Sequence, residues 1–444
     1  MLVRRWLPPV LMVCLLALAF TVLAGKAQTE QSAQGGAKVD SGDTAFVAAA
    51  AALVMLMTPA LGFFYGGLVR RKNLLSLLVQ SMTIFALMSV VWALWGYSLA
   101  FGPSASGAVG DLSFVGLRGV GAAPDPRYGA TIPALLFFFF QLKFAAITPA
   151  LIIGAFAERV KFSSLLAFVV LWATLIYAPV AHWVWGAGGW LRSLGALDFA
   201  GGTVVHILAG FSALAGAMVI GPRRTNGDPT RPNNVPFVIL GAALLWFGWF
   251  GFNGGSALAA NAVAVNALVV TNIAAACAAL SWMVVDWFVK GKPTATGVAI
   301  GAVCGLVAIT PASGFVGPMA SMTIGLVAGL VSNVVSNWRL ERTKLDDTLD
   351  VFACHGVSGV WGALATGVFA SVAVNAGGGN GLLFGNARLL AVQGLAVLAS
   401  AGFAFFGSLV LLKLVDAAIG LRVPEHVEEQ GLDAAIHGEL AYGD

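Results

Sequence analysis

An all-α integral membrane protein is the fold class this sequence predicts: eleven transmembrane helices with a five-plus-five inverted repeat, behind a cleavable signal peptide. Three observations carry that expectation. Of the 444 residues, 59% are hydrophobic and only 10% charged, against roughly 25% charged in a soluble globular chain. Beyond residue 43 the apolar residues fall into runs near the roughly 20 that a helix needs to cross a bilayer. Two of those runs, five spans apart, repeat the same pattern around a histidine.

Residues 1–27 read as a secretory signal peptide. They have a basic start at Arg4 and Arg5, an apolar stretch interrupted by Pro8 and Pro9, and small residues around Ala24 to Ala27, which is the order such leaders show. The alternative is an uncleaved extra helix. Residues 28–43 form a polar spacer that would begin the mature chain outside the cytoplasm. The predicted spans follow at 44–69, 74–100, 130–157, 162–186, 201–220, 234–256, 260–289, 294–312, 314–336, 351–373 and 388–417.

An odd number of spans puts the two ends of the mature chain on opposite sides. Lys and Arg concentrate in cytoplasmic loops, and alternate loops hold "RRKN" (70–73), "ERVK" (158–161), "GPRRTNGDPTRP" (221–232), "KGK" (290–292) and "RLERTKLDD" (339–347). The intervening loops hold only Arg118, Arg127 and Arg192 with a few acids, or no charge at all. The expected protein is multi-pass in the cell's inner (plasma) membrane, with its mature N-terminus outside and its C-terminus inside. A net charge of +4, spread through short loops, leaves no basic domain for nucleic acid. Cys14 falls in the leader and Cys277, Cys304 and Cys354 in apolar spans, so no disulfide framework is implied.

An ionisable group inside a membrane is costly and marks a functional site by default. His206 opens "HILAGFSALAG" in the fifth span and His355 opens "HGVSGVWGALATG" in the tenth; an acid precedes each, Asp198 and Asp350. Five spans per repeat is odd, so the second copy enters from the opposite side, and inverted repeats place a shared site near the midplane. The halves are residues 44–220 and 221–373, followed by an eleventh helix at 388–420 and a tail at 421–444. A lone histidine of this kind is more simply a buried, satisfied side chain. Two at matched positions, flanked by small residues that allow close helix approach, point to a common role. A metal would need more ligands, and His182 lies at an outer end while His426 and His437 lie in the tail. A neutral imidazole pair donates and accepts, which suits passing a proton or binding a small hydrogen-bonding solute. Asp198 begins the fifth span, where it would cap free N–H groups and add a negative field at an outer vestibule.

The aromatics supply a second cluster. Phe140 and Phe144 are four apart, hence on one helical face; Trp185 ends the fourth span; Phe252 and Ser256, again four apart, lie near the outer end of the sixth. Rings attract a cation, and a desolvated hydroxyl completes its coordination. Trp183 and Trp190 read instead as an interfacial belt.

Together "GFFYGGLVRRKN", "ITPALIIGAFAERVKFS", "ALDFAGGTVVHI", "WFGWFGFNGGSA" and "DVFACHGVSG" are similar to the ammonium transporter (Amt/Mep/Rh) family, in order and with its spacing, from about residue 43 to the C-terminus. The resemblance implies that family's fold and a homotrimer in membrane lipid, each subunit with its own pore. It implies an outer ammonium site of Trp185 and Ser256 with Phe140 alongside, and a gate of Phe144 stacked on Phe252. It implies a pore with His206 and His355 as paired imidazoles, and Asp198 as the supporting carboxylate. Ammonium would give up its proton near the gate and cross largely as ammonia, the proton being relayed separately. Potassium has no proton to shed, so deprotonation would separate two cations of similar size. No cofactor and no enzymatic step belong to that scheme.

The tail "RVPEHVEEQGLDAAIHGELAYGD" (422–444) resembles the family's C-terminal region, which implies docking against neighbouring subunits and control by a PII-type signal protein. Lys143 departs from the family, which usually has an uncharged residue there. Adjacent to Phe144, it points about 100° away from the gate face, toward a subunit interface or the headgroups; if it entered the vestibule it would repel ammonium. The alternative function is an ammonium sensor that conducts little. A sensor of this family often adds a signalling domain after the last span, and the short tail favours transport.

Overall fold

The computed structural model describes residues 38–224 and 231–443. The expected signal peptide, most of the spacer, and 225–230 in the loop after the fifth span lie outside the described residues.

Among the described residues, ten helices are long and apolar enough to cross a bilayer: α1 Ser41–Leu68, α2 Arg71–Phe101, α3 Ala134–Phe156, α4 Phe162–Leu194, α5 Gly202–Ile220, α6 Val235–Gly254, α7 Ala262–Lys290, α9 Pro318–Arg342, α10 Phe352–Phe369 and α11 Ala387–Ile419. Between α7 and α9 runs α8, Ala295–Ile309, of 15 residues. Its rise of about 22 Å falls short of the roughly 30 Å of hydrocarbon in a bilayer. The eighth predicted span, 294–312, is therefore only partly regular helix. Pro311 cannot continue the ladder, and the chain goes on in turns closed by Ala312 N–H to Ile309 O and Phe315 N–H to Ala312 O.

The helix starts follow from short polar side chains that satisfy free N–H groups. Asp40, Asn234, Asn261 and Thr294 accept from the amides of Asp43, Phe237, Ala264 and Gly297 to begin α1, α6, α7 and α8. At α10 the acid nearest the histidine in sequence, Asp350, is not the one whose side chain caps the helix. Asp347 takes the capping place, accepting from Phe352 N–H at 2.7 Å, while Asp350 pairs with Arg339 at 2.9 Å. Asp350 sits at φ 55°, a left-handed turn that swings its carboxylate away from the helix end.

α5 and α10 meet at the centre backbone to backbone at Gly210 and Gly356. Any Cβ on Gly210 would collide with the backbone of Gly356, while Gly359 lies against Gly202 and Ile207, so the two segments run in opposite senses. Both begin with a π-helical turn, Gly202–Ile207 and Phe352–Val357, and α6 ends with another, Phe250–Gly254. Such wide turns recur at functional sites, and here they carry His206, His355 and Phe252. α3 is the most enclosed of the ten long helices and packs beside this crossing.

The two ends of the bundle differ. One, the vestibule face, carries an antiparallel hairpin of β1 Pro124–Asp125 and β2 Gly129–Pro133. The other, the tail face, is covered by the C-terminal segment with its short helix α12, Glu425–Gln430. There Asp433 accepts from Leu75 N–H at 3.0 Å and Ser76 N–H at 2.7 Å, so the tail is bonded into the first turns of α2. Arg422 pairs with Glu428 at 2.8 Å and Tyr442 donates to Asn233 at 2.8 Å.

Candidate functional site

A cavity of about 610 Å³ opens on the vestibule face, lined among others by Gln141, Phe144, Trp185, Asp198, Phe199 and Ser256. Its wall is set by backbone bonds. The Trp185 indole N–H donates to Asp198 O at 2.8 Å, and Arg192 Nη1 donates to the backbone carbonyl of Trp185 at 2.6 Å, so both the ring and the main chain of this residue are held. The Ser256 hydroxyl donates to Phe252 O at 2.8 Å, one turn back. With its proton so engaged, its lone pairs are left as acceptors.

Asp198 is buried, and its carboxylate receives four backbone N–H groups: Gly201 at 2.9 Å and Gly202 at 2.7 Å on Oδ1, Thr203 at 2.8 Å and Val204 at 3.0 Å on Oδ2. Those are the orphan donors at the start of α5. Burial pushes this carboxyl above its usual range, and the four amides, which favour the ionised form, oppose the shift. The capping role read from the sequence is its observed one.

Below the cavity the aromatics form an unbroken file. Phe144 stands edge-on to Trp185 at 5.9 Å and lies 4.3 Å from Phe252, centroid to centroid and tilted 40°. Phe252 is 6.0 Å from the His206 ring, which meets the His355 ring edge to edge, nearly coplanar at 19°, with centroids 5.3 Å apart. The two Nδ1 atoms are 3.2 Å apart, so one donates and the other accepts. Both imidazoles are buried, and His206 Nε2 has no hydrogen-bond partner among the described residues. Seven of the eight side chains singled out in the sequence thus either line the cavity or belong to the rings in contact beneath it. Phe140 is the eighth and does not line the cavity: fully buried, it packs against Gly255 and meets Phe144 edge-on at 5.0 Å. Lys143 does not line it either. Its ammonium lies 3.5 Å over the Phe139 ring and 5.1 Å from Phe85, on the side of α3 away from the Phe144 ring.

A profile of the Ammonium Transporter Family matches residues 45–442. The chain belongs to that family. An ammonium transporter of Bacillus subtilis is 49% identical over 407 residues, covering 91% of this chain and 99% of that protein. Ammonium transporter Amt1 of Archaeoglobus fulgidus is likewise 49% identical, over 405 residues, with 91% and 100% covered. The crystal structure of Mep2 from Saccharomyces cerevisiae superimposes with a TM-score of 0.82 at 38% identity, over 87% of this chain and 91% of that one. As a member of the ammonium transporter family, the chain is a multi-pass membrane transporter.

Several groups at the site were not legible as functional in the sequence of this family member. The Trp249 ring lies nearly parallel to His206 with centroids 5.3 Å apart, and its N–H donates to Thr310 at 2.9 Å. Arg192 holds Trp185, and Asp347 caps α10. The only signal for Asp347 was its place in the acidic end of "RLERTKLDD"; for Trp249 and Thr310, on helices distant in sequence, there was none.

Proposed function

We propose that this chain takes ammonium from the vestibule, deprotonates it at the phenylalanine pair and passes ammonia along the paired imidazoles of His206 and His355 into the cytoplasm. One observation carries the reading: the two imidazoles, 3.2 Å apart at Nδ1, lie buried directly beneath a ring pair that itself lies beneath the cavity. Ammonium bound against Trp185 gains cation–π attraction and donates to the Ser256 oxygen, while Phe140 backs Phe144. An ion going further meets only rings and apolar walls, where charge is costly, so losing a proton is the cheaper course. Asp198 supplies the negative field that favours the cation at the mouth. The imidazole pair, sharing one proton, offers a nitrogen to ammonia and a relay for the proton. Potassium is refused because it cannot become neutral.

Around that pore the proposed assembly is a homotrimer in the inner membrane, with the vestibule face outside and the tail face, open to a PII-type signal protein, inside. α8 with the turns to Phe315 completes an eleventh crossing, and the halves 44–220 and 221–373 form the inverted repeat. The test is ammonium-evoked current from the purified protein in liposomes. Expected are a saturable ammonium current, no comparable potassium current, and loss of roughly tenfold or more in His206→Ala. Lys143→Met should conduct like the parent, because Lys143 faces away from the vestibule. Potassium currents rivalling ammonium would sink the deprotonation step, and absence of flux with ammonium-dependent partner binding would establish the sensor instead.

A further inference from the structure

Two thiols touch inside the bundle although fifty positions separate them in sequence. Cys304 is fully buried on α8, Cys354 nearly so on the π turn of α10, and their sulfurs are 3.3 Å apart. Both are free. A disulfide brings sulfurs to about 2.05 Å, so bonding draws this pair about 1.2 Å together. Neither backbone is loose. A Cβ on Gly305 would meet the Ala274 carbonyl of α7, and Gly356 already lies against Gly210 of α5. Between Cys354 and Gly356 sits His355, whose Nδ1 is 3.2 Å from that of His206.

We propose that Cys304 and Cys354 are a redox modification site: hydrogen peroxide joins them in a disulfide that displaces His355 from His206 and closes the pore. One sulfur attacks a peroxide oxygen, the O–O bond breaks, and a sulfenic acid and one water result. The second sulfur attacks the first, expelling the other oxygen as water. Two thiols lose two electrons and two protons, and peroxide takes up both as two waters. Thiol exchange with a reducing pool reverses the bond, and intracellular disulfides are characteristically transient ones of this kind. The closing effect rests on the transport reading given above.

The test uses the full-length protein in liposomes, first reduced with dithiothreitol, then treated with hydrogen peroxide. Peptide mapping should recover a Cys304–Cys354 cross-link, ammonium flux should fall at least about tenfold, and dithiothreitol should restore it. Cys304→Ala should conduct normally and keep its flux in peroxide. If peptide mapping of the unfolded protein after peroxide recovers both cysteines as free thiols, or if the cross-link forms and flux is unchanged, the inference is overturned. A reduced parent without flux counts against the transport reading alone, since the map needs no transport to decide the cross-link.

Discussion

Asp198 has four acceptor directions and the chain supplies four N–H groups to fill them. Asparagine there would keep one acceptor oxygen and aim an NH₂ at donors, leaving two amides unsatisfied. Asp198→Asn is expected to lose about 2 kcal/mol of stability and to raise the ammonium concentration for half-maximal flux, because the same residue's carbonyl holds the Trp185 indole. Chemical denaturation and liposome flux measure the two effects. Asp347 behaves differently: burial, with the Asp350 carboxylate beside it, pushes its carboxyl up to about 6, above the unfolded value of about 3.9. The folded state therefore holds that proton more tightly, and stability falls as pH rises from about 4 through about 6. Asp347→Asn keeps an acceptor for Phe352 N–H and removes the titration. Relative to that variant, the parent should lose on the order of 2 kcal/mol between pH 4 and 7; a parallel pH course of the two proteins would refute the assignment. At this scale Asp198 and His206 were legible because a polar group in an apolar run has to be accounted for. Trp249 and Thr310 were not, since tryptophan and threonine in a span are unremarkable until another helix is placed beside them.

The elements were foreseen to within a few residues wherever hydropathy changes sharply, as at both ends of α5 and α7. What periodicity could not supply was the π turn: over six residues the wide helix and the ordinary one present almost the same apolar pattern. The turns at Gly202–Ile207 and Phe352–Val357 matter because they aim two imidazoles from helices that cross at bare backbone. Gly210 is the residue that permits that crossing. A methyl group there meets the Gly356 backbone, which has no rotamer to yield, so α5 and α10 must part. Gly210→Ala is expected to cost about 1–3 kcal/mol as overpacking and to reduce ammonium flux at least about tenfold by separating the histidines. Gly402→Ala is the control, because nothing lies within reach of an added Cβ there. Equal flux in the two variants would show that the crossing does not set the imidazole pair. The tail was legible as ordered only through its likeness to the family; that Asp433 would bond into the first turns of α2 depends on a contact across more than 350 residues.

For the molecule as a whole, the described residues are asymmetric along the transport axis. The large polar cavity with its tryptophan and serine opens on the vestibule face, whereas the tail face is crossed by ion pairs such as Arg70–Glu158 at 2.6 Å and Arg223–Asp346 at 2.9 Å, with the tail laid over it. On the proposed reading, the vestibule face is the side that gathers the cation. Detailed balance requires the ratio of maximal rate to half-saturation to be equal from both sides when no gradient acts. A site that binds ammonium tightly on the vestibule face must then release it slowly, and the better half-saturation there comes with the lower maximal rate. Liposomes sorted by orientation test this directly. With ammonium presented to the vestibule face, half-saturation should lie several-fold below that for the tail face, and the maximal rate should be lower in the same proportion. Serine 256 replaced by alanine, Ser256→Ala, should raise the vestibule-side value and leave the tail-side value almost unchanged. Identical half-saturation from both faces in the parent protein would mean that the cavity does not bind the ion, and that selection takes place entirely at the rings and imidazoles beneath it.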